Sequence, residues 1–193
     1  MKTRFGMVKE RHAGTFAAAV EAGRVDGQMR GLCGFLAESR GFFTSSCCSG
    51  RIMLLGLRGG SKKDSYFHRK WHRTVSFDEV WAGMEADSTG TLWFKCEPFI
   101  LHVGCAGLGD ANRVLDAMKE AGVKRGGIIL AEEGKYLIEL QGTNRIVLPV
   151  KEGSEILVDK TYLGRVLEKA NQRLEANYAR LEKLERVFRE RLA

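Results

Sequence analysis

The sequence predicts an α+β fold: mixed β-sheet flanked by helices, not a doubly wound parallel sheet. Three observations carry the expectation. Helical patterns open the chain and recur within it. Several strand patterns follow one another with only short turns between them, whereas parallel strands need long crossovers. The stretch from about 160 to 193 is one sustained amphipathic pattern, longer than most globular helices. At 193 residues the chain suits a single domain over 1–193, with that helical tail packed on it.

The elements follow in order. Residues 3–22 place Phe5, Val8, Phe16, Ala17 and Val20 among polar positions and read as a helix ending at Gly23. Asp26 then precedes Met29, Leu32, Cys33, Phe35 and Leu36, spaced for one helical face; it suits an N-cap, and the helix should stop near Gly41. Two strands are expected at 42–46 and 51–57. The polar run between them, Thr44-Ser45-Ser46-Cys47-Cys48-Ser49-Gly50, reads as a hairpin end, since buried hydroxyls without partners cost about 1–3 kcal/mol each. A basic glycine loop at 59–65 leads to Tyr66-Phe67-His68-Arg69-Lys70-Trp71-His72-Arg73, where aromatic rings interleave with cations. Residues 74–76 should end a strand. Ser76 with Glu79 three places on is a capping box for a helix at 77–86. Gly90 marks a turn. Strands are expected at 91–97 and 99–105, and Pro98 between them marks an edge, a bulge or a change of sheet. A helix at 110–121 closes at Gly122, and strands at 127–131, 135–140 and 145–150 follow. In the tail, Leu163, Leu167, Ala170, Leu174, Tyr178, Leu181, Leu184 and Phe188 form one stripe, as one helix or two.

Composition narrows the function. A formal net charge of +7 favours a polyanionic partner, nucleic acid above all. No apolar run reaches the length of a membrane span, and the first residues lack a signal-peptide core. The five cysteines have no CxxC spacing and no secreted disulfide pattern, which points to a reducing cytoplasm. Cys96, His102 and Cys105 could approach one another, but the spacing is not that of a zinc site, and no metal is expected. Residues 100–110 imitate a dinucleotide-binding turn, with Gly104, Gly107 and Gly109 ahead of a helix; the glycine order is not GxGxxG, so a Rossmann-like site is only an alternative. Lys95 and Glu97, two apart, share a strand face. The rings and cations of 62–73 are the parts needed for phosphate contact and for stacking on an unpaired base.

Two blocks carry a family resemblance. Phe42-Phe43-Thr44-Ser45-Ser46-Cys47-Cys48-Ser49-Gly50-Arg51 and Leu92-Trp93-Phe94-Lys95-Cys96-Glu97-Pro98-Phe99-Ile100-Leu101-His102-Val103 resemble the signatures of the tRNA wybutosine-synthesizing protein 3 family, and the resemblance runs from about Val25 to the C-terminus. It implies a methyltransferase not built on the Rossmann fold. Its donor would be S-adenosylmethionine (S-adenosyl-L-methionine). Its acceptor would be a ring nitrogen, N(4), of a tricyclic guanosine intermediate bearing an aminocarboxypropyl arm, beside the anticodon of tRNA(Phe). A third family block appears altered as Gly122-Val123-Lys124-Arg125-Gly126-Gly127-Ile128, with Lys124 a point charge where relatives carry a bidentate arginine.

The resemblance, joined to the chemistry of each residue, yields a candidate set. Asp26, Glu97 and His102 are candidate proton acceptors, because the ring nitrogen must lose a proton as it is methylated. Ser45, Ser46, Cys48, Gly50 and Gly127 are candidates for holding the donor. Arg51, Lys62, Trp71, His72, Lys95 and Lys124 are candidates for holding phosphate, base or the carboxylate arm. A non-catalytic basic RNA-binding module is the alternative from another class.

Overall fold

The computed structural model describes residues 3–59 and 62–193, residue 62 by its backbone only. In chain order the elements are α1 (Arg4–Glu21), α2 (Gly27–Glu38), β1 (Phe42–Cys48), β2 (Arg51–Leu57), β3 (Ser65–Trp71), α3 (Phe77–Glu85), β4 (Thr91–Glu97), β5 (Ile100–Cys105), α4 (Leu108–Glu120), β6 (Arg125–Glu132), β7 (Lys135–Gln141), β8 (Ile146–Glu152), β9 (Glu155–Ile156) and α5 (Lys160–Leu192). The class is α+β. Every described strand pair is antiparallel, β5 included, so the turn at Gly104–Gly109 does not belong to a Rossmann βαβ unit. No described helix is long and apolar enough to cross a membrane.

The chain divides into two compact units, each assembled from separated stretches. The first comprises Met1–Ser49, Phe99–Thr143 and Tyr178–Ala193. Its sheet has the order β1-β5-β7-β6. One face is the core: Phe42, Leu101, Val103, Cys105, Ile138 and Leu140 pack with Met29, Leu32 and Leu36 of α2, Val114 and Met118 of α4, and Leu181, Leu184 and Phe188 of α5. The other face carries Phe43, stacked on His12 of α1 with ring centroids 4.8 Å apart. Gly104 lies under that ring, where a Cβ would stand 2.0 Å from it. Lys9 of α1 ties the start of β1 down by donating to the carbonyls of Ala37 and Phe42 at 2.7 and 2.8 Å.

The second unit comprises Gly50–Pro98 and Asn144–Asn177, with sheet order β3-β2-β4-β8-β9. Its buried residues include Ile52, Leu54, Phe94 and Cys96 of the sheet, Val80 and Met84 of α3, and Leu163, Leu167, Ala170 and Leu174 of α5. Asn171 pairs with Val75 through both backbone groups, accepting at 3.0 Å and donating at 2.8 Å.

The expected hairpin at 42–57 is not formed. β1 pairs with β5 in one sheet and β2 pairs with β3 and β4 in the other. The polar run continues β1 as far as Cys48, because its backbone pairs with β5 and its two middle serines, Ser45 and Ser46, are exposed instead of forming a turn. The change of sheet falls at Ser49–Gly50, and Gly50 takes a φ of +96°, which a side chain rarely adopts. Pro98 marks the corresponding change between β4 and β5. β3 stops at Trp71, short of the expected end near Ser76, and α2 ends at Glu38 before Gly41. The tail is a single helix of 33 residues.

The capping box of α3 is present in full: Ser76 Oγ accepts from the Glu79 amide and Glu79 accepts from the Ser76 amide. Arg73 adds two bonds to the same carboxylate, and together these partners hold Glu79 down at about 2. A depressed carboxylate stabilises the fold above its ordinary titration range and loses that contribution as the pH falls toward the folded value. The contribution of this cap should therefore be complete above about pH 4.5 and fade between there and pH 2. Thermal melts across that window should show a smaller acid loss for Glu79→Gln than for the parent chain.

Candidate functional site

In the first unit the candidate residues collect on the sheet face opposite the core. β1 has a bulge between Thr44 and Ser46. Regular alternation would turn one of Ser45 and Ser46 inward; with the extra residue both are exposed, while Thr44 before them is buried. Ser46 is in register with His102, His102 with Glu139, and Glu139 with Gly127, so these four positions form one row across all four strands. A Cβ built on Gly127 would meet no atom within 4 Å, so the row ends in open space. The His102 side chain is largely buried, and its Nε2 lies 3.0 Å from Glu139 Oε2. A carboxylate only accepts, so Nε2 carries the proton of that bond and Nδ1 is the imidazole's acceptor.

Asp26 stands at the N-cap position of α2, but its side chain does not cap the helix. Its Oδ2 instead accepts from the backbone amide of Ser49 at 2.8 Å and from the Ser49 hydroxyl at 3.0 Å. Ser49 is fully buried, which explains the geometry: two donors removed from water are met by one anion. This bond fixes the start of α2 to the end of β1. Cys48, half-buried beside Ser49, is on the His102 side of the sheet, in register with Ile100. Cys47 turns inward and shares a hydrogen bond with Cys33 of α2, which together with burial pushes the Cys33 thiol up. Lys124 is exposed immediately before β6.

The second unit holds Gly50, Arg51, Trp71, His72, Lys95 and Glu97. Arg51 and Glu97 are register partners on β2 and β4. The guanidinium donates from Nε at 3.1 Å and from Nη2 at 2.9 Å to Glu97 Oε2. Both side chains are about three-quarters covered, so neither is a surface pair lost to solvent. Lys95 lies two residues from Glu97 and is in register with Met53, which is in register with Lys70. Gly50 is packed against this corner: a Cβ there would sit 2.9 Å from Asn177 Nδ2 and 2.9 Å from the Glu97 carbonyl oxygen. Trp71 is in register with Ile52, and its ring approaches Gly83 of α3, so it belongs to the helix-covered side of the sheet, away from Lys95. His72 is half-buried just after β3. The Lys62 side chain lies outside the described residues.

The thiols considered for metal are otherwise engaged. Cys96 Sγ donates to the Ala170 carbonyl at 3.7 Å and Cys105 Sγ to that of Gly107 at 3.4 Å. Burial pushes both thiols up to about 11, away from the thiolate form that binds metal. Cys105 also faces the core, opposite His102 on the same strand.

The sequence matches, over residues 8–190, the family described as Methyltransferase TYW3. The chain belongs to that family. A Thermococcus sibiricus protein named tRNA(Phe) 7-((3-amino-3-carboxypropyl)-4-demethylwyosine(37)-N(4))-methyltransferase is 31% identical over 182 residues, 94% of this chain and 92% of the relative. An Archaeoglobus fulgidus protein of the same name is 36% identical over 148 residues, 76% of this chain and 74% of the relative. A solved structure of a Pyrococcus horikoshii protein superposes with a TM-score of 0.88 at 30% identity, covering 94% of both chains.

Within this TYW3 methyltransferase chain, two site features were not legible in the sequence. Glu139 orients His102 from the neighbouring strand; its only signal is a lone acid between Ile138 and Leu140 in an apolar strand. Ser49 is the buried partner of Asp26, 23 residues away, and nothing in the local pattern joins them.

Proposed function

We propose that this chain methylates N(4) of 7-(3-amino-3-carboxypropyl)-4-demethylwyosine beside the anticodon of tRNA(Phe), with S-adenosylmethionine as donor. The observation that supports it most is the family match over residues 8–190, joined to relatives of that named activity that align with nearly the whole chain. We place the reaction in the cytoplasm, with tRNA as the polyanion that the charge of +7 anticipates.

The polar side chains on the open face of the first sheet fit the donor chemically. Ser45 and Ser46 offer hydroxyls for its carboxylate and ribose, Glu139 offers a carboxylate for its ammonium or ribose, and Gly127 leaves the row unobstructed. When bound, the donor supplies an electrophilic methyl group on a sulfonium. The residues of this chain then position the acceptor and take its proton. The Asp26 carboxylate is our first choice of proton acceptor. His102 Nδ1 is the second, with Glu139 holding the ring so that Nδ1 accepts. Glu97, bonded twice by Arg51, serves the guanidinium in our reading and not the proton. Arg51, Lys95 and Lys124 would meet phosphates or the carboxylate arm, to which Lys124 brings charge without a bidentate fork.

The test is methyl transfer from labelled S-adenosylmethionine to tRNA(Phe) that carries the aminocarboxypropyl tricycle but lacks its N(4) methyl. Label should enter that nucleoside alone. No label there, or equal labelling of tRNA without the tricycle, would refute the assignment.

A further inference from the structure

We infer that Phe67 is a stacking platform for an unpaired base of the RNA substrate, with Arg51 and Lys70 reaching the phosphates on either side of that base. The inference rests on the proposal that the substrate is RNA, and adds to it Phe67 and Lys70, which the candidate set above does not contain.

The geometry begins at a bulge. Leu54 is in register with Arg69 and Leu55 with Phe67, so His68 is an extra residue on β3, the edge strand of the second sheet. His68 reaches Gly83 of α3 with its Nε2 at 2.8 Å from the carbonyl oxygen, and Arg69 also lies against Gly83. Two successive side chains are thus spent on the helix-covered side. Phe67 and Lys70, flanking them, come to the opposite side together.

There Phe67 is 52% exposed, a large aromatic held in water on a sheet edge. Two cations attend it: the Arg51 guanidinium carbon is 5.0 Å from the ring centroid and Lys70 Nζ is 5.1 Å from it. Arg51 is held in place by its two bonds to Glu97. Lys95 adds a third positive charge in the row Lys70, Met53, Lys95. An exposed ring with one fixed and one flexible cation over it has the chemistry of a single-strand site: a base of any sequence takes the place of the flexible Lys70 on the π-face, and the cations take its backbone. A protein or lipid partner would need a contiguous apolar patch, and here two cations stand over the ring.

The experiment measures binding of a synthetic, unmodified anticodon stem-loop of tRNA(Phe), without donor, to the whole chain and its variants. Phe67→Ala should weaken loop binding about 5- to 150-fold, the range that base–aromatic stacking commands. Phe67→Trp should restore it. Lys70→Ala should lower the slope of log affinity against log salt by about one. A fully paired RNA duplex of equal length should bind Phe67→Ala as well as it binds the parent chain. Loop binding within twofold of the parent for Phe67→Ala, no recovery in Phe67→Trp, or an equal loss on the duplex would each overturn the platform. The two proposals separate cleanly: a Phe67-dependent loop affinity without methyl transfer leaves the platform standing and removes the reaction, and transfer with unchanged loop affinity does the reverse.

Discussion

Replacing Phe188 by alanine is expected to destabilise the chain by about 3–5 kcal/mol, which for a protein of this size lowers the melting temperature by roughly 6–20 °C. Phe188 is fully buried in the core of the first unit, with Leu181, Leu184, Val187 and Leu192 of the same helix around it and the strands β5 and β7 contributing Val103 and Ile138 to the same cluster. Truncation removes the ring's burial and leaves a cavity that a close-packed core refills only in part. The control lies on the same helix: Tyr162 is 50% exposed, and Tyr162→Ala should stay within about 0.5 kcal/mol of the parent. A melt of Phe188→Ala within 2 °C of the parent would mean that the tail helix does not hold the first unit together.

That helix was also the most legible element. Seven of the eight apolar residues on the predicted stripe, all but Tyr178, are buried, because helical periodicity is a local property and survives without knowledge of the partner. The α3 cap was legible for the same reason: Ser76 and Glu79 are three residues apart and satisfy each other. Strand pairing was not. Residues 42–57 have the composition of a hairpin, and only long-range partners, β5 for one strand and β4 for the other, pull them into different sheets. The site was partly legible because the family blocks are local in sequence. Glu139 escaped because its role comes from register, and the pairing of Ser49 with Asp26 because it joins residues far apart in sequence; Phe67 stood in the segment read for base stacking, but which ring of that segment lies beside the cations is set by a bulge. A one-residue bulge at His68 decides that Phe67 shares a face with Lys70, three residues on; regular alternation would put the two on opposite faces.

Asp26 is where scaffold and chemistry should come apart by substitution. Its Oδ2 receives both the amide and the hydroxyl of a fully buried serine, and each charge-assisted bond of this kind contributes about 1.5–3 kcal/mol. Asp26→Ala should therefore cost about 2–4 kcal/mol in thermal or denaturant unfolding. Asp26→Asn keeps an acceptor oxygen for Ser49 and should cost only about 1 kcal/mol. Neither variant retains a group that can take a proton from the ring nitrogen, so single-turnover methyl transfer should fall about 10²–10⁴-fold in both, well beyond what the stability of Asp26→Asn would explain. Ser49→Ala supplies the converse: it disturbs the anchor while leaving the carboxylate, and should lose stability with a far smaller loss of rate. Near-parental transfer by Asp26→Asn would reduce Asp26 to an anchor for β1 and hand the proton to His102, whose own replacement by glutamine, together with Glu139→Gln, then becomes the deciding measurement.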